Sequence, residues 1–176
     1  AGFAQLLLDV SPTVELTAGA RYTHETKDSF LRMLYVHPLL QAGYVQYDPL
    51  NPGPTEIVAN QSFNDLSPEV TLTWRPNSDL TVYGAYKEAF KSGGFSNSSL
   101  FQVTTVPTDV AFRPETASGF EAGVKTYLFD RSLRLNAVVF DYEYEDMQID
   151  FLDLGRAAYT TFNAGAVETK GIELQV

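Results

Sequence analysis

Val14-Glu15-Leu16-Thr17-Ala18-Gly19-Ala20-Arg21-Tyr22 decides the fold, because its side chains alternate strictly in character. One face carries Val14, Leu16, Ala18, Ala20 and Tyr22; the other carries Glu15, Thr17, Gly19 and Arg21. A period of two places successive side chains on opposite faces of a strand, whereas a helix would scatter these residues around its axis. The pattern returns with Val70, Leu72 and Trp74 against Glu69, Thr71 and Thr73. Phe120, Ala122 and Val124 stand against Glu121, Gly123 and Lys125, and Ile172, Leu174 and Val176 against Gly171, Glu173 and Gln175. Val, Thr, Tyr and Phe dominate these stretches, and all four favour strands. The expectation is an all-β chain with about seven strands.

Composition narrows the function classes. The 176 residues are 44% hydrophobic and 19% charged, with 10 Tyr and 12 Phe. Tyrosine joins an apolar ring to a wet hydroxyl, which suits a boundary between hydrocarbon and water, although a soluble β-sandwich could use it equally. The formal net charge of -10 argues against a nucleic-acid partner, which needs clustered Lys and Arg to neutralise phosphates. The absence of cysteine rules out disulfides and thiolate metal sites. No apolar run reaches the roughly 20 residues of a membrane-spanning helix, so any spanning elements must be strands. No signal peptide is visible at Ala1, which reads as a mature chain or an excerpt of a longer one.

Connection lengths point to a barrel. Val10 to Thr13, Arg75 to Asp79 and Phe129 to Ser132 read as tight turns. Between them lie much longer links, Asp28 to Phe63, Ser92 to Pro114 and Met147 to Asn163. Alternation of short and long connections puts all short turns on one rim of an up-and-down barrel and all long loops on the other. Outer-membrane barrels have that asymmetry. A Lys or Arg facing lipid at the midplane costs roughly 2–4 kcal/mol. Glu15, Arg21, Glu69, Glu121, Lys125 and Glu173 are therefore expected to face a wet lumen, and the Val, Leu, Phe and Ala rows to face lipid. Leu133 to Tyr144 has apolar residues on both faces and leaves its facing open, with a bulge or a change of exposure as explanations. Trp74, just before a short turn, suits a periplasmic interface anchor.

Several runs together carry a family resemblance. Phe63-Asn64-Asp65-Leu66-Ser67-Pro68-Glu69-Val70, Trp74-Arg75-Pro76 and Leu80-Thr81-Val82-Tyr83-Gly84-Ala85-Tyr86 are followed by Phe90-Lys91-Ser92-Gly93-Gly94-Phe95. Then come Phe112-Arg113-Pro114-Glu115, Glu121-Ala122-Gly123-Val124-Lys125, Asn163-Ala164-Gly165 and Lys170-Gly171-Ile172-Glu173. With the Gly19-Ala20-Arg21-Tyr22 strand end upstream, this ordered set resembles the barrel of TonB-dependent receptors. The resemblance implies an antiparallel up-and-down transmembrane barrel of roughly 22 strands with a plugged lumen. It implies nutrient capture at the bacterial outer membrane, powered through TonB, and no enzyme activity. Residues 1–176 then read as a partial barrel domain, because neither a plug with its TonB-contacting box nor an aromatic terminal strand is present. The expected partners are outer-membrane lipid, the TonB system through the missing plug, and a bulky ligand, foremost an iron–siderophore complex. Cobalamin, haem and oligosaccharides remain open as ligands.

Binding chemistry concentrates on loops held by a rigid scaffold. Tyr35, His37, Tyr44 and Tyr47 in the first long link, and Phe95 and Phe101 in the second, could stack on a siderophore or sugar ring, or simply pack among the loops. Gly93-Gly94 reads as a bend needing permissive backbone angles. No catalytic motif, metal-ligand spacing or cofactor signature is found. The acidic run Asp141, Glu143, Glu145 and Asp146 could suggest a carboxylate pair or a calcium site, but an exposed strand end explains it equally. Two other readings stand beside the receptor: a small self-contained barrel acting as adhesin or passive pore, and a soluble all-β binding module.

Overall fold

The computed structural model describes residues 1–40, 43–96, 102–154 and 158–176. Seven strands form one antiparallel sheet: β1 (Gly2–Ser11), β2 (Val14–Arg32), β3 (Glu56–Asn77), β4 (Leu80–Lys91), β7 (Glu115–Leu128), β8 (Leu133–Glu145) and β11 (Val167–Gln175). Their order in the sheet is their order in the chain, so every connection joins neighbours. Two small sheets lie outside the wall, β5 (Gly94–Phe95) with β6 (Ala111–Phe112) and β9 (Met147–Asp153) with β10 (Ala158–Ala164). A single short turn of helix, α1 (Pro107–Val110), leads into β6.

The pairing registers keep each face chemically uniform. Leu8, Leu16, Leu72, Gly84, Ala122, Val139 and Ile172 stand opposite one another from β1 to β11. One step along, Asp9, Glu15, Thr73, Tyr83, Gly123, Val138 and Glu173 form the corresponding row of the other face. From Val14 to Tyr22 the apolar face runs eight residue steps. At about 3.4 Å per step and a tilt near 40°, this spans roughly 21 Å across a bilayer, close to the expected apolar band of about 25 Å.

Among the described residues, none covers that apolar face. Leu6 is 67% exposed, Leu72 51%, Phe120 65% and Ile172 77%. A bare apolar surface of this extent in water would exceed anything a soluble monomer tolerates. It must be solvated by hydrocarbon. The fully buried apolar cluster lies elsewhere, where Met33, Val36, Ile57 and Val110 pack at the long-loop end.

Leu133 to Tyr144 now has a facing. β8 pairs with β7 without a register shift, which excludes a bulge there. Leu133, Leu135, Ala137 and Val139 share the apolar face, while Val138, Phe140 and Tyr142 share the polar one. Glycine makes room for these inner rings. A Cβ on Gly123 would lie 2.4 Å from the Tyr83 ring, one on Gly119 2.4 Å from Tyr142, and one on Gly171 2.5 Å from Phe140. Each ring lies over a neighbouring strand's glycine, a device that holds sheet register.

The short turns are tight. Asn77 Oδ1 accepts a hydrogen bond of 2.9 Å from the Asp79 N–H, closing the β3–β4 turn. The β7–β8 turn takes Phe129, Asp130 and Arg131 through positive φ, at 53°, 53° and 68°. Arg131 Nε donates to Asp79 Oδ1 at 2.7 Å, tying the two adjacent turns together. The long links are shorter than the alternation suggested. β2 and β3 remain paired up to Arg32 opposite Glu56, leaving residues 33–55 as the link. Met147 to Asn163 is largely a hairpin, β9 and β10.

Two outcomes follow for a membrane-inserted wall of this kind. Leu72→Lys should destabilise it by roughly 2–4 kcal/mol in urea unfolding from bilayers, and Thr71→Lys by far less. Gly123→Val should cost about 1–3 kcal/mol through overpacking against Tyr83, whereas Gly84→Ala, with nothing within 4 Å of its new methyl, should be close to neutral.

Candidate functional site

All six residues expected to face the lumen project from the polar face. Glu15, Arg21, Glu69, Glu121, Lys125 and Glu173 each fall in the register rows opposite to Leu16, Leu72 and Ile172. Glu121 sits at the centre of a network. The Tyr142 hydroxyl donates to Glu121 Oε2 at 2.9 Å, and Lys87 Nζ lies 3.3 Å from the same oxygen. Arg75 pairs with Glu15 at 3.5 Å, and Gln5 donates to Glu69 at 3.4 Å. Lys125 lies over the Tyr83 ring, 5.6 Å from its centroid. Such cross-strand pairs contribute roughly 0.2–1 kcal/mol each and bind the strands of the wall together.

The long-loop rim holds a second polar centre that sequence reading missed. Lys27 Nζ donates to Ser92 Oγ and to the Gly93 carbonyl, both at 2.8 Å, while Gln61 Nε2 donates to the Gly94 carbonyl at 2.8 Å. Gln148 Nε2 reaches the Ser92 carbonyl at 3.0 Å and the Arg113 carbonyl at 3.1 Å. Asn163 Nδ2 donates to the Arg113 carbonyl at 2.9 Å and the Asp146 carbonyl at 2.7 Å, and its Oδ1 accepts the Arg113 N–H. The loop entered at Ser92, the strand start at Glu115 and the β9–β10 hairpin are thereby fastened into one unit. Beyond the apolar band, the Ser92 hydroxyl and then Lys27 hold the Glu25 carboxyl below its ordinary range. Glu56 likewise raises Arg32 above the ordinary guanidinium range.

Gly93 needs its missing side chain for a different reason than expected. Among the described residues no glycine has positive φ, so permissive angles are not the requirement. A Cβ on Gly93 would lie 2.3 Å from the Phe112 carbonyl oxygen and 2.9 Å from the Phe63 ring. Close approach of two backbones demands glycine there.

The loop aromatics divide by environment. Tyr44 and Phe95 pack against the Met33–Val36–Ile57–Val110 cluster. Tyr47 lies against Arg32, whose guanidinium carbon is 4.8 Å from the ring centroid. His37 Nδ1 accepts the Leu39 N–H at 3.3 Å, a local turn contact. Tyr35 is 69% exposed. Phe101 lies outside the described residues. In the acidic run, Asp141 pairs with Lys170 at 3.3 Å and Asp146 with Arg113 at 2.5 Å. No group of carboxylates and histidines suited to a metal ion occurs among the described residues.

The rim contacts make a testable unit. Asn163→Ala removes two donated bonds and one accepted bond, each worth roughly 0.5–1.5 kcal/mol net. Limited proteolysis of the membrane-inserted protein should then cut the β9–β10 hairpin several-fold faster, with the wall strands still protected.

Comparison with known proteins agrees with this geometry. The family model "TonB dependent receptor-like, beta-barrel" matches residues 1–176. The ferric yersiniabactin uptake receptor FyuA of Yersinia pestis superposes with a TM-score of 0.69 at 17% identity, over 98% of this chain and 22% of that one. The Serratia marcescens hemophore receptor HasR, solved as a double mutant with its hemophore HasA and heme, gives 0.54 at 16% identity, over 98% and 30%. This chain thus spans less than a third of either receptor's length. Receptors and transporters of the bacterial outer membrane, not enzymes, make up this family. A seven-stranded wall with one bare apolar face and one ion-paired polar face, matched along its whole length, belongs to the TonB-dependent receptor β-barrel family.

Proposed function

We propose that this chain supplies wall and outer loops to a receptor for TonB-energised uptake of a scarce, bulky nutrient, foremost an iron–siderophore complex. The carrying observation is a wall wet on one face and bare and apolar on the other, with its long connections fastened together on one rim. A rigid scaffold of this kind positions loops for binding while keeping a polar lumen open to a plug. Residues 1–176 would act as one part of the barrel domain, with the plug that contacts TonB and the remaining strands provided by the rest of the receptor. FyuA, named for ferric yersiniabactin uptake, and HasR, named as a hemophore receptor, make iron sources the favoured ligand class.

Within this reading Tyr35, His37, Tyr44, Tyr47, Phe95 and Phe101 are the ligand-contact residues of the loops. Tyr35 is 69% exposed, and Tyr47 presents a ring already backed by a cation. Glu15, Arg21, Glu69, Glu121, Lys125 and Glu173 line the path and meet the plug.

Deletion of the parent gene gives the test. Growth on chelated iron and uptake of labelled ferric siderophore should fall, and both should return when the gene is restored. Uptake should also stop when TonB is removed. Uptake that continues without TonB would indicate a passive pore, and normal iron-limited growth of the deletion strain would remove iron as the cargo.

A further inference from the structure

An ion pair stands on the apolar face of the wall. The pairing register puts Ala18, Val70, Tyr86, Phe120, Asp141 and Lys170 in one row across the sheet. Asp141 and Lys170 lie 3.3 Å apart, and Lys170 also meets Glu168 at 2.6 Å. Charges sunk in hydrocarbon beside Phe120 would be costly to desolvate. Either a second protein surface covers the pair, or the pair stands outside the hydrocarbon.

Following the apolar face of each strand toward the long-loop rim separates these two. The last apolar or aromatic residue is Tyr22 on β2, followed by His24, and Leu66 on β3, followed by Asn64. On β4 it is Tyr86, followed by Glu88, and on β7 Phe120, followed by Ser118. On β8 it is Val139, followed by Asp141, and on β11 Ile172, followed by Lys170. Ile172 shares the row of Leu16, so the change-over slides six residues, from Tyr22 back to Leu16, across the five pairings from β2 to β11. At about 3.4 Å per residue and about 4.8 Å per strand, this is a slope near 40°, inside the roughly 35–45° tilt of membrane strands. Cover by a second protein would have no reason to follow that slope.

Two tyrosines mark the same line independently. The Tyr22 hydroxyl donates to Asn64 Oδ1 at 2.9 Å, and the Tyr86 hydroxyl to Glu88 Oε1 at 2.7 Å. Each ring ends an apolar run while its hydroxyl reaches the first polar residue outward, the posture of an interfacial aromatic. Tyr22 lies two rows beyond the row of Tyr86, as an oblique boundary requires.

We infer that the outer edge of the hydrocarbon meets the wall along an oblique line through Tyr22, Leu66, Tyr86, Phe120, Val139 and Ile172, and that Asp141, Lys170 and Glu168 form a contact surface for lipid headgroups. Ala18 and Val70, in the same row as the ion pair, stand in hydrocarbon. The inference holds for any cargo and does not rest on the uptake reading.

Depth measurement tests it. Leu16→Cys, Ala18→Cys, Tyr22→Cys, Lys170→Cys and Ile172→Cys each carry one spin label in the membrane-inserted protein, freed of other cysteines. Depth is read from collisions with oxygen in the hydrocarbon and with a paramagnetic complex in the water. The labels at 22 and 172 should lie within about 4 Å of one depth, while those at 16 and 172, in one register row, should differ by about 15 Å. The label at 170 should meet the aqueous complex several-fold more often than the label at 18, and that pair decides the matter should a label at 172 block insertion. Equal depths within a row, or a label at 170 that meets oxygen as the one at 18 does, would overturn the boundary. A label at 170 shielded from both reagents would overturn the headgroup surface and make the ion pair an interface to a second protein.

Discussion

Backbone hydrogen bonding in hydrocarbon is the constraint from which the rest follows. Unpaired N–H and C=O groups in lipid cost several kcal/mol each, so a membrane wall of strands must be paired along its whole apolar height. Pairing at fixed register couples the two faces, because a slip of one residue would turn every side chain over. From Val14 opposite Trp74 to Arg32 opposite Glu56, β2 and β3 keep one register without interruption. Leu16 and Leu72 can face lipid only if Glu15 and Thr73 face the lumen. The apolar rows and the ion-paired rows are therefore one design seen from two sides.

The polar face solves a second problem. Side chains there must hold strands together without a hydrophobic core beneath them. Two devices share that task. Rings lie over glycines, as Tyr83 over Gly123 and Phe140 over Gly171, and charges pair across strands, as Lys87 with Glu121 and Arg75 with Glu15. Ion pairs open to solvent are individually weak, so the rings matter as much as the charges. This explains why β8 could place Val138, Phe140 and Tyr142 toward a wet lumen: the rings fill the spaces that glycines leave, instead of standing out in water.

What could be read from the sequence follows the same physics. The wall strands, the short turns and the gathering of six charged residues on one face were legible because lipid and water impose opposite demands at successive positions. Legibility failed where that contrast fades. Phe30-Leu31 and Ile57-Val58 are apolar on both faces because they stand above the membrane, next to the buried loop cluster, so the end of the β2–β3 pair was read as loop. The β9–β10 hairpin was missed for a similar reason: it has its own small sheet and answers to no bilayer. Gly93 suggested a flexible bend, yet its role is set by Phe112 and Phe63, which no local pattern reveals. Lys27 and Ser92 are 65 residues apart, and only the fold shows that they meet.

Function then has to reside where the wall's own requirements leave side chains over. Strands that must alternate, pair and fill glycine spaces have little freedom to encode a ligand, and a shared barrel accordingly does not determine one. Freedom returns at the rim, where the polar anchors Gln148 and Asn163 fix the base of the loops and leave the outer residues, such as Tyr35, open.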